Sequence, residues 1–100
     1  MTAEPLRSGE PLDEARLAAL TSFRELDQQA GLPKGRAFKA FKRLDPPLQE
    51  GDDFLLLSPQ QHGESIRQLR QSGRIYPASI QVVLLHEAAA QRIAEQLSHE

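Results

Sequence analysis

Two breaks bracket the middle of this chain: Gly31 on one side and the Pro46-Pro47 pair on the other. A glycine at a helix end and a pair of prolines both stop a helix, so whatever folds between them is short. The bracketed run Pro33 to Leu44 (PKGRAFKAFKRL) carries Lys34, Arg36, Lys39, Lys42 and Arg43 and no acid. The chain as a whole has 12 Lys plus Arg against 14 Asp plus Glu, so the run is +5 and the remainder −7. An acidic chain that gathers its positive charge on one short segment aims that segment at something anionic.

Punctuation elsewhere sets the other elements. Residues 1–12 hold Pro5, Gly9 and Pro11 with little to bury and read as a loose tail, leaving 13–100 as one domain. Asp13 to Leu20 suits a helix with acids in its first turn and Leu17 and Leu20 on one edge. Ser22 followed by Glu25 forms a capping box, which starts a second helix over Phe23 to Ala30, closed by left-handed Gly31. Pro33 suits a first helical turn, so the basic helix is expected over Pro33 to Leu44. Phe54 to Ser58 (FLLLS) reads as a strand, Pro59 to Gly63 as a loop and Glu64 to Ser72 as a helix closed by Gly73. In the stretch from Arg74 to Leu85, Pro77 demotes the first half to an edge or turn, and Ile80 to Leu85 is the better strand. Glu87 to Leu97 is expected as a last helix, with His86 before it. These elements define an α+β domain with three to five short helices and a two- or three-stranded antiparallel sheet.

Two short helices joined at Gly31, the second one basic, make a helix-turn-helix pattern. Phe23, Leu26, Ala30, Leu32, Ala37, Phe41 and Leu44 are spaced so that both helices share a small core. At about 100° per residue from Lys34, Ala37, Phe41 and Leu44 fall at about 300°, 340° and 280°, with Phe38 at about 40° and Ala40 at about 240°. On the same projection Arg36, Lys39 and Arg43 fall at about 200°, 140° and 180°, nearly opposed to the apolar stripe. Arg67, Arg70 and Arg74 recur at helical spacing and suggest a second basic stripe, or a solvated face with Ile66 and Leu69 buried behind it.

The stretch FRELDQQAGLPKGRAFKAFKRL resembles the helix-turn-helix of small bacterial and phage regulators, with Leu26 and Ala30 in the first helix, Gly31 in the turn and Leu32, Ala37, Phe41 and Leu44 as core positions. The following Glu50-Gly51-Asp52-Asp53-Phe54 is similar to a short phrase in phage regulator and antirepressor domains, and with FLLLS it resembles a wing. The resemblance covers about residues 22–58 and implies a winged-helix-like domain. Asp27 stands where such motifs usually carry Ala, and Pro33 and Gly35 where Ser or Thr and a better helix former are common. It implies a sequence-specific double-stranded DNA-binding regulator of transcription, phage- or plasmid-linked. Arg36 and Lys39 are then expected at base edges, and Lys34, Lys42 and Arg43 on phosphates, with Arg67 and Arg70 adding backbone contacts.

Regulators of this kind usually pair, and the Ala-rich last helix either offers Ala89, Ile93 and Leu97 as a homodimer face or packs on the domain's own strands. The rival expectation is a small inhibitor or adaptor that docks its basic helix on an acidic protein partner. Catalysis is not expected. His62, His86 and His99 are scattered, the chain has no Cys, and Ala90 stands where a zinc-protease helix needs its second His. No metal and no cofactor are implied. The longest apolar run, Val82 to Leu85, is too short to span a bilayer, and the first twelve residues lack a signal-peptide core. The expected compartment is the cytoplasm.

Overall fold

The computed structural model describes residues 14–79 and 82–99. The tail expected over 1–12 and the first two residues of the strand expected from Ile80 lie outside them. The described residues form five helices and one three-stranded sheet, an α+β domain. The elements are α1 (Glu14–Ala19), β1 (Thr21–Ser22), α2 (Phe23–Ala30), α3 (Arg36–Arg43), β2 (Phe54–Leu57), α4 (Pro59–Gln71), β3 (Val82–Leu85) and α5 (Glu87–Ser98). The strand order is β1-β3-β2, antiparallel throughout.

Alternation along the strands divides the core in two. Leu55, Leu57, Val82 and Leu84 point to one face, where α1 supplies Leu17 and Leu20 and α4 supplies Ile66 and Leu69. Phe54 and Leu85 are register partners on the other face, beneath α2, α3 and α5. That second core holds Leu26, Ala37, Ala40, Ala89, Ala90, Ile93 and Leu97. Small residues dominate its helical part, which lets α3 and α5 approach closely.

Several local expectations hold. Ser22 accepts the Glu25 amide at 3.1 Å and Glu25 accepts the Ser22 amide at 2.9 Å, so both halves of the capping box are made. Gly31 ends α2 at φ 66°, a conformation that only glycine adopts without penalty. Ser79 N–H closes a turn onto the Tyr76 carbonyl where Pro77 breaks the β-rich stretch.

Other expectations need correction. The segment Pro59 to Gly63 is helical, not a loop: Pro59 takes the first helical position and the helix bends at His62 (φ −131°, ψ 33°). Thr21 and Ser22 do more than separate two helices, because they pair with Leu85 and Leu84 as a third strand. The basic helix begins at Arg36 rather than Pro33, and Gly35, at φ 93°, is its N-cap. Ala30 is exposed, whereas Ala40 is fully buried. The strands β2 and β3 follow the two-helix unit, as wing strands would, but α4 connects them in place of a hairpin.

Candidate nucleic-acid interface

Helix α3 is held from below by its small residues. Ala37 and Ala40 have no exposed surface, and Phe41 and Leu44 are half-buried against the same core. Lys34, Arg36, Lys39, Lys42 and Arg43 are all exposed. With Ala40 buried, the covered side centres at about 290° on the helical projection, so the outward side centres between Lys39 and Lys42, with Phe38 on one flank and Arg43 and Arg36 on the other.

The start of α3 is fixed by a residue eight to ten positions upstream. Asp27 is 1% exposed, and its carboxylate accepts the Gly35 amide at 3.1 Å and the Ala37 amide at 2.7 Å. The Tyr76 hydroxyl donates to the same carboxylate. Gly35 has no side chain to cap with, so Asp27 satisfies two of the orphan amides of α3 from the neighbouring helix. The negative charge also meets the positive end of the α3 dipole. A phosphate would consequently meet side chains on α3 rather than its backbone amides. The departure from the helix-turn-helix pattern at Asp27 is thus the joint between the two helices. Its signal in the sequence was an acid on the apolar side of α2, four residues after Phe23 and three before Ala30.

Tyr76 links this joint to the cations. Burial pushes its hydroxyl up to about 12, helped by the hydrogen bond and the charge of Asp27 and opposed by Arg24. Lys34, which lies before the helix, holds Nζ 5.0 Å from the Tyr76 ring centre, and Arg24 holds Cζ 5.5 Å from it. Lys42 Nζ stands 5.4 Å from the ring centre of Phe38. Phe38 is 47% exposed and contacts Phe23 edge-on, with ring centres 5.7 Å apart. Phe38 flanks the buried stripe as expected, against Phe23 and Phe41, and its exposed side stands beside Lys42.

The second basic stripe is not brought to this face. Arg67 and Arg70 are exposed on α4, which covers the opposite side of the sheet. Arg67 pairs with Glu64, and Arg70 donates to the Ser79 carbonyl at 2.7 Å. Arg74 lies past the helix end and turns inward. It donates to the Leu17 carbonyl at 2.8 Å, to the Leu20 carbonyl, and to Glu25 at 2.9 and 3.2 Å. Burial raises the Glu25 carboxyl, but the hydrogen bonds and charge of Arg74, with the Ser22 amide and hydroxyl, outweigh it and hold that carboxyl below its ordinary value.

Ala89, Ile93 and Leu97, expected as a dimer face, are 1%, 0% and 6% exposed in the chain's own core. They are packed against α2 and α3 and cannot also face a partner. The acidic phrase before β2 is structural in part: Asp53 accepts the Gln49 amide with its carboxylate and the His86 amide with its carbonyl. Among the described residues no three His, Cys, Asp or Glu side chains form a group that could hold a metal ion, and no helix is long and apolar enough to cross a membrane.

No family model, curated protein or solved structure matches the chain.

Proposed function

We propose that this protein binds double-stranded DNA through α3, as a sequence-specific regulator of transcription. One observation carries the reading: a two-turn helix with its small residues buried holds five exposed bases, including Lys34 just before it, and no acid of its own. An α-helix is about 10–12 Å across with its side chains, which a major groove about 12 Å wide admits. Lys39 and Arg36, in its first half, are the candidates for base edges, and Lys34, Lys42 and Arg43 for phosphates. Phe38 joins them as an apolar contact of the kind that thymine methyl groups accept. One such helix reads few base pairs, so two copies acting together extend the footprint, through a surface other than Ala89, Ile93 and Leu97.

The test is fluorescence anisotropy against a random duplex, together with selection from a randomised-site pool, at two salt concentrations. Neutralising about four phosphates gives a log–log salt slope of about −3.6. An enriched motif that is lost in Lys39→Glu is the expected result. A slope near zero overturns the reading. The rival, an adaptor docking on an acidic protein, is supported by Phe38, because an exposed aromatic beside a cation is also what a protein interface centres on. Weak, unselective DNA binding that vanishes at physiological salt is the result that favours it.

A further inference from the structure

We propose that a groove beside Lys34 is a binding site for a small apolar organic anion of the aromatic carboxylate class. The site does not depend on whether α3 meets DNA. Its origin lies in how the sheet is covered. On one face, α1 and α4 cover the strands completely, and Leu55, Leu57 and Leu84 have no exposed surface. On the other, α2, α3 and α5 pack over the Phe54–Leu85 end, and the next cross-strand pair on that face, Leu56 and Val83, stays half-buried. The gap is a groove of about 480 Å³ with Leu56 and Val83 in its lining, bounded by Phe23, Phe38 and Tyr76, with Lys34 at its rim. That volume lies within the range of about 300–1,000 Å³ typical of small-molecule sites.

The lining chooses the ligand. Three aromatic rings and two aliphatic side chains take an apolar, flat body. The charged group in the lining is a cation, Lys34, and a second cation, Arg24, approaches the same Tyr76 ring. The nearby carboxylate, Asp27, is buried and turns its oxygens to the Gly35 and Ala37 amides and the Tyr76 hydroxyl, and the positive end of α3 offsets its charge, which leaves Lys34 as the charge at the rim. Ser79, also in the lining, adds a hydroxyl donor. Lys34 is exposed, so a carboxylate beside it keeps water on its outer side and avoids the full penalty of burying a charge.

The test is a two-dimensional amide NMR titration of the full chain with 2-naphthoate, and with uncharged 2-naphthamide as its matched neutral probe, at physiological salt. Expected are saturable shifts centred on the amides of Gly35, Phe38, Ser79 and Val83, with naphthoate preferred over naphthamide. Lys34→Gln should weaken naphthoate by about fivefold, the effect of one partly exposed ion pair, and leave naphthamide unmoved. Val83→Phe, which fills the groove, should remove both ligands. Lys39→Gln, whose charge lies on α3 away from the groove, should change neither. Shifts that do not saturate, that centre elsewhere, or that persist unchanged in Lys34→Gln overturn the assignment. If Val83→Phe fails to fold, the Lys34→Gln and Lys39→Gln pair decides it alone.

Discussion

Two stretches of this chain are rich in bases at helical spacing, and they use those bases in opposite ways. On α3 and just before it the five cations are exposed, while the helix is held by Ala37, Ala40 and the Asp27 carboxylate. Between α4 and β3 the cations find acceptors within the fold: Arg67 at Glu64, Arg70 at the Ser79 carbonyl, and Arg74 at Leu17, Leu20 and Glu25. Counting charges along a sequence cannot separate these cases. What separates them is where the fold places the cation: Arg70 and Arg74 reach backbone carbonyls distant in sequence. An arginine that satisfies carbonyls of another element acts as a fastener, because removing it leaves part-buried acceptors without a donor.

The comparison can be broken at several points, and the largest effect is expected at Asp27. Asp27→Ala strips two amides and a hydroxyl of their acceptor and should lower unfolding free energy by about 3 kcal/mol in urea denaturation. It should weaken duplex binding too, since the start of α3 loses its anchor. Next, Arg74→Met should cost about 2–3 kcal/mol in the same assay and leave the duplex affinity of the folded fraction unchanged. An Arg74→Met protein with full stability but poor DNA binding would erase the distinction between fastener and interface. Arg36→Ala should do the converse, with stability within about 0.5 kcal/mol of the parent and affinity for a preferred duplex reduced by about 1–3 kcal/mol.

The joints differ in pH response as well. The Glu25 carboxyl is lower in the folded chain than its ordinary 4.5, so its contribution is present above that value and is lost as pH falls through the folded pKa. Tyr76 is raised from 10.0 to about 12, so its contribution is complete below about 10 and disappears as pH rises toward 12. Denaturation midpoints followed against pH should show an acid loss that Arg74→Met blunts and an alkaline loss that Tyr76→Phe removes. The smallest effect is expected at the groove. If Lys34 serves both ligands, saturating 2-naphthoate should weaken duplex binding modestly, and Lys34→Gln should abolish that competition.

The exposure of the α3 cations was legible in the sequence, because the helical projection sets them opposite the apolar stripe. The extent of the buried stripe was not, because the projection sets Ala40 and Phe38 at its two edges, and packing buried the first fully and left the second partly exposed. The sheet was half legible. FLLLS and the run ending at Leu85 read as strands from their β-branched and leucine content, yet the pairing of Thr21-Ser22 with β3 has no signature in a two-residue segment. A helix beginning at Pro59 was hidden by Gly63 and by the bend at His62, which weaken the helical pattern without ending it.

The sequence by itself determined the features whose partners lie within a few residues. Ser22 and Glu25 start α2, Gly31 ends it, and the spacing of Ala37, Phe41 and Leu44 makes α3 amphipathic. Such interactions are written in local order, because a hydrogen bond three residues away needs no fold to bring it together. Only the tertiary structure decided the rest. Arg74 reaches Leu17 across 57 positions and Tyr76 reaches Asp27 across 49. The start of α3, the sorting of cations into fasteners and a face, and the groove at Leu56 and Val83 all depend on such distant meetings. Burial and long-range acceptors assign their roles, and neither exists until the chain has packed.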